Sequence, residues 1–274
     1  GDGSTTDSTT PVAVSLPSGR TATSVSTGEK HTCAVLDDAS IYCWGLNDWG
    51  QLGDGSTTDR FTPVAVSLPS GRTATSVATG SYHTCAVLDD GSLYCWGFNG
   101  FGQLGDGNVG SGASSSTPVA VYLAGGEEVT SVTAGAYHSC AVLDDASLKC
   151  WGYNAYGQIG DGSTTDRSGA ASVSLPSGRT AVSVTAWLFH TCAVLDDASL
   201  YCWGSNNYGQ LGDGTTTNSN TPVAVSLPSG RSASTVTAGE IHTCSVLDDS
   251  SLYCWGDNDY GALGDGTTTD SSTP

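Results

Sequence analysis

HTCAVLDDASIYCWG, spanning His31 to Gly45, returns four times along the chain. The copies are HTCAVLDDGSLYCWG from His83, HSCAVLDDASLKCWG from His138, HTCAVLDDASLYCWG from His190 and HTCSVLDDSSLYCWG from His242. The leading histidines stand 52, 55, 52 and 52 residues apart. A near-constant period of this length marks a repeat architecture and outranks local readings. The 274 residues divide into units 1–52, 53–104, 105–159, 160–211 and 212–263, with a further unit starting at 264–274, and are read as one repeat domain. GDGSTTDSTTP at Gly1 matches both GDGSTTDRFTP at Gly53 and GDGTTTDSSTP at Gly264, so an excerpt of a longer polypeptide is expected.

The quoted stretch reads as two strands joined by Asp37-Asp38-Ala39. A three-residue connection places facing partners at numbers summing to 76, so Cys33 faces Cys43, His31 faces Gly45 and Val35 faces Ile41. Facing residues of an antiparallel pair lie about 4.5–5.5 Å apart at Cα, within disulfide reach. The same spacing predicts that Cys85 is stapled to Cys95, Cys140 to Cys150, Cys192 to Cys202 and Cys244 to Cys254. Each staple closes a short loop and stabilises by at most about 3 kcal/mol. Ten cysteines in five regular pairs imply an oxidising, extracellular or cell-surface setting. A zinc reading is weak, because nine intervening residues do not resemble the usual knuckles.

The rest of a unit is short strands between turn residues. Val64–Leu68 and Ala74–Gly80 precede the hairpin, and a Gly-rich connection follows it. Four short strands per unit match the blade of a β-propeller, so the chain is expected to be all-β, built from about five four-stranded blades in a closed ring or part of a longer array.

The motifs Gly80–His83, Asp90–Gly97 and Asn99–Gly105, with Pro-Val-Ala-Val following, resemble the repeat of the regulator-of-chromosome-condensation family over the whole chain. The resemblance implies a propeller, usually of seven blades, serving protein–protein recognition. Members include a chromatin-bound guanine-nucleotide exchange factor and secreted bacterial inhibitors of β-lactamase. Paired cysteines and a net charge of −19 set this chain apart from the nuclear member and fit a secreted branch. So acidic a surface does not favour nucleic acid, whose phosphates need clustered Lys and Arg. Nor is there an apolar run long enough to span a membrane.

The repeated His, Asp-Asp and Gly-Asp-Gly residues invite catalytic or metal readings. No hydrolase, zincin, nucleotide-binding or Rossmann pattern accompanies them, and no catalytic residue, metal site or cofactor is assigned. Calcium in the Gly-Asp-Gly loops is the weak exception. The aromatic position shared by Trp49, Phe101, Tyr156, Tyr208 and Tyr260 is read as structural packing. The register puts the residues before each histidine and after each Trp-Gly at one end of the hairpins, where the units differ. That gives the candidate binding face Leu46, Tyr82, Phe98, Tyr137, Tyr153, Trp187, Leu188 and Phe189.

The expected function is a non-enzymatic extracellular propeller acting as a structural or adhesive surface protein, as a filament or tandem-array subunit. The alternative is a secreted protein-binding or inhibitor module using the variable face. Expected partners are other proteins or copies of the chain itself, with glycans as a further class.

Overall fold

Short β-prone runs broken by Pro-Ser-Gly-Arg and Asp-Asp turns fold into antiparallel sheets in a computed structural model that describes residues 1–123 and 126–274. The first sheet contains β1 (Ala22–Thr27), β2 (His31–Leu36), β3 (Ile41–Gly45) and β4 (Arg60–Ala65), hydrogen-bonded in that order. The next three sheets repeat it over 74–120, 129–172 and 181–224. These are the blades of a propeller. Successive blades pack through their inner strands, and one turn of 3-10 helix at Ser111–Ala113 lies within the insertion of the longer repeat.

Two expectations change. The run read as the first strand of each unit is the outer strand of the preceding blade: Cys43 pairs with Val64 and Tyr42 with Ala65. A periodic sequence fixes the repeat length but not where the blade begins. The outer edge also suits Pro63, which has no N–H to give a ladder. Second, the fifth sheet has three strands over 233–256, not four, and a lone bridge from Gly256 to Ser271. On that sheet the described residues include no counterparts of the pairings that Val64 and Ala65 make in blade one.

The hairpin register is as the sequence dictates: His31 faces Gly45, Thr32 Trp44, Cys33 Cys43, Ala34 Tyr42 and Val35 Ile41. The cysteines of the other blades face each other in the same way. All five disulfides form. Cys33 is bonded to Cys43, Cys85 to Cys95, Cys140 to Cys150, Cys192 to Cys202 and Cys244 to Cys254, at Cα separations of 4.0–4.1 Å. That sits just below the roughly 4.5 Å of a non-hydrogen-bonded facing pair. At the hairpin tip Ala39 takes the left-handed conformation, φ 61°, as the last residue of a three-residue connection. Gly91 stands at the equivalent place in blade two.

The core lies between blades. Cys33, Val35, Ile41 and Leu52 of the first close on Ala74, Ala86, Leu88 and Trp96 of the second, and similar clusters fill the next three interfaces. Burying a large apolar side chain contributes about 1.5–3 kcal/mol, so each interface sums several such terms. The arc stays open among the described residues. Val25 on blade one is 64% exposed and Leu252 on blade five 65%, whereas Leu93, Leu148 and Leu200, equivalent to Leu252, are buried.

Polar groups lock the same interfaces. Trp96 Nε1 and Thr84 Oγ1 both donate to the Gln51 carbonyl of the preceding blade, at 2.9 and 2.8 Å. His31 Nε2 meets the same Thr84 hydroxyl at 2.9 Å. Because that hydroxyl spends its proton on Gln51, it accepts from His31, so the ring carries its proton on Nε2. The arrangement recurs between blades two and three, three and four, and four and five. The glycine of Gly-x-x-His is there for space: a Cβ on Gly80 would lie 2.3 Å from the Gly135 carbonyl and 2.4 Å from the His83 ring.

Candidate recognition face

Constant residues of the repeat are consumed by the scaffold. Asn47 is fully buried, accepts from Leu52 N and donates to the Ser56 and Thr58 carbonyls, so it ties down the Gly-Asp-Gly loop. In that loop Asp54 accepts from Ser56 through one oxygen and from Arg60 through the other. The Asp-Asp tips of blades one, two, four and five pair with the arginine of the neighbouring turn, as Asp38 does with Arg20 at 2.7 Å and Asp90 with Arg72 at 2.6 Å. A hydrogen bond from Ser40, above all, holds the Asp38 carboxyl below the usual range. His31, His83, His138 and His190 are buried in their relay, and desolvation lowers His31 and His190 to about 4, and His83 and His138 to about 3.

The unequal residues at the other end of the hairpins form a different kind of surface. Phe98 meets Trp49 at 4.7 Å between ring centroids, Phe101 meets Tyr137 at 5.4 Å and Tyr153 at 4.8 Å, and Phe189 meets Tyr153 at 5.8 Å and Tyr156 at 5.1 Å. Tyr137 sits in the middle, stacked with Tyr82 on one side and Phe189 on the other, at 6.1 and 6.5 Å. Eight rings from four blades thus make one continuous band. Tilted and edge-to-face rings at these distances attract beyond their buried area. All but Trp49 are half-buried; Trp49 is 37% exposed.

Five of the eight sequence candidates, Tyr82, Phe98, Tyr137, Tyr153 and Phe189, lie in the band. Leu46 and Leu188 are half-buried at the same hairpin end. Trp187 goes elsewhere, lining a cavity of about 350 Å³ with Thr79, Thr133, Ala186 and other inner-strand residues. It replaces the Gly-x-x-His glycine, and its N–H stands 3.3 Å from the His190 carbonyl where the glycines of the other blades stand at 2.8 Å. Trp49, Phe101 and Tyr156, read as repeat packing, prove to be band members. Their equivalents Tyr208 and Tyr260 are exposed and share no ring contact with it.

Charge flanks the band. Tyr82 Oη donates to Glu29 at 3.3 Å. Burial first, then Glu29, raises the hydroxyl pKa values of both Tyr82 and Tyr137. On blade five Asp257 stands where Phe98 and Tyr153 stand on blades two and three, and Asp257, Asp259 and Asp270 bring carboxylate oxygens within 4.8 Å of one another. Burial and then those two neighbours push the Asp257 carboxyl up.

The profile of the family described as the RCC1-like domain matches residues 1–274. The chain belongs to that family. It is 32% identical over 274 residues to the ultraviolet-B receptor UVR8 of Arabidopsis thaliana, covering 100% of this chain and 62% of that protein. It is 28% identical over 252 residues to the human E3 ubiquitin-protein ligase HERC2, covering 91% of this chain and 5% of that one. Among solved structures, Prp20p from Saccharomyces cerevisiae superposes with a TM-score of 0.81 at 22% identity, over 93% of this chain and 63% of that one. The RCC1-like chain spans less than two thirds of each of these proteins. The likeness to Prp20p establishes the propeller fold. As in the sequence, no helix among the described residues is long and apolar enough to cross a membrane.

Proposed function

We propose that the chain is a non-catalytic recognition module that holds a protein partner on the aromatic band of its propeller face. The supporting observation is the band itself: eight mutually packed rings at the hairpin end where the repeats differ. Rigid aromatics with a polar tip supply contact area at little entropic cost, and they dominate binding hot spots. The blades provide the rigidity, because their constant residues are taken up by loops and interfaces. Membership of the RCC1-like family supports the same reading. Five disulfides support an extracellular or cell-surface setting. The structural or adhesive reading rests on the repeat alone, and no feature of the face favours it over recognition.

A displayed library of random peptides selected on the immobilised chain tests the proposal. Selected peptides are expected to lose binding when Tyr137→Ala and Phe189→Ala are combined, and to keep it when Tyr208→Ala and Tyr260→Ala are. Peptides indifferent to the first pair of changes would remove the band from consideration.

A further inference from the structure

The basic residues are distributed unevenly. The sequence has eight, against 27 acidic ones. Arg20, Arg72, Arg179 and Arg231 are bound to the Asp-Asp tips, at the hairpin ends away from the band. Arg60 and Arg167 are bound inside the Gly-Asp-Gly loops, to Asp54 and Asp161. Lys149 is held by Glu127. Among the described residues that leaves Lys30 as the one basic side chain without an ion pair.

The carboxylates at the other hairpin end are not neutralised in this way. Glu29 borders the band at blade one, where Tyr82 donates to it. Glu240 occupies the same position before the histidine on blade five and is exposed. Asp257, which follows Trp-Gly on the same blade, groups with Asp259 and Asp270, and burial and then repulsion from those two raise its carboxyl. The band is therefore an aromatic strip with carboxylates at both ends, offset only by Lys30 beside Glu29 on blade one. Ring faces are themselves negative and attract guanidinium and ammonium groups, most strongly when water is excluded.

We infer that the partner is a polypeptide segment or surface in which lysine or arginine is interleaved with apolar side chains. The apolar groups rest on the rings around Tyr137 and Phe189, and the cations lie over ring faces or reach the carboxylates at either end. This rests on the proposed use of the band and adds the chemistry of what it holds. Complementary charge acts mainly on the association rate, and salt screens it.

The peptide selection is read a second way to test this. Peptides that depend on the aromatic band are sequenced, and the best is measured by surface plasmon resonance against three proteins: the wild type, the double variant Glu29→Gln with Glu240→Gln, and Lys30→Glu. These exposed positions leave the core intact, and equal melting temperatures check that. Enrichment in Lys and Arg is expected, with association slowed about 3- to 10-fold by the double variant, quickened by Lys30→Glu and slowed by added salt. Band-dependent peptides that are neutral or acidic, or that bind all three proteins at one rate, overturn this inference and leave the recognition face standing. Selection of no band-dependent peptide overturns both.

Discussion

His83 of the second blade donates from Nε2 to the Ser139 hydroxyl of the third, 2.8 Å away, and leaves Nδ1 buried without a partner. Ser139 passes its own proton to the Gln103 carbonyl. A proton added at Nδ1 would be a buried donor with no acceptor, which desolvation alone already opposes. The neutral ring is thus part of the joint between blades.

Acid should dissolve these joints before it touches the carboxylates. His31, His83, His138 and His190 have folded values of about 4, 3, 3 and 4 against 6.5 in the unfolded chain. Between pH 6.5 and 4 the unfolded state takes up protons that the folded state refuses, so stability falls with falling pH and is fully present above 6.5. Each ring contributes up to about 3 kcal/mol of this loss by pH 4. Urea midpoints measured from pH 7 to 4 should drop steadily, and His83→Gln, less stable at pH 7, should lose less over that window.

Gly80→Ala should destabilise by about 1–3 kcal/mol, because the new methyl meets a backbone carbonyl of the next blade and the His83 ring. Thermal unfolding of this variant, compared with Gly169→Ala, where the added carbon meets nothing within 4 Å and φ is not left-handed, reads the effect.

Ala39→Gly, Ala146→Gly and Ala198→Gly should each stabilise by about 1 kcal/mol, since these alanines hold φ of 60–62°. Gly91→Ala should move the other way and must also displace the Glu128 side chain, whose Cβ is 2.7 Å from the added carbon. Chemical denaturation of the four variants tests the sign at each tip.

Asp257→Asn should be more stable than the wild type at pH 7 and lose that advantage in acid. The Asp257 carboxyl is raised by burial and by Asp259 and Asp270, so the folded state holds its proton more tightly and is penalised as pH rises. Melting temperatures at pH 7 and 4 give the comparison.

Much of this was legible in the repeat. The three-residue connection set the register, and the register set the cysteine staples and the end of the hairpin where the units differ. The blade boundary was not legible, because a periodic chain can be divided at any phase; pairing of Cys43 with Val64 fixes it. The His31–Thr84 joint was hidden for a related reason, since its partners lie 53 residues apart, in adjacent units. Trp49, Phe101 and Tyr156, read as packing, do pack, but against the rings of the variable positions, which a position aromatic in every unit does not announce. Their place at the variable end was the available signal. Trp187 was grouped with Phe189 by sequence adjacency, yet it lines the inner-strand cavity.

The central claim is that the aromatic band binds the partner, and Tyr137, stacked between Tyr82 and Phe189, is its midpoint. The most direct test is calorimetric affinity of a selected peptide for the wild type and for Tyr137→Ala, with melting temperatures matched. The account predicts a loss of at least about 10-fold, the scale of a central hot spot. Unchanged affinity for Tyr137→Ala, with binding abolished instead by Tyr260→Ala, would contradict it.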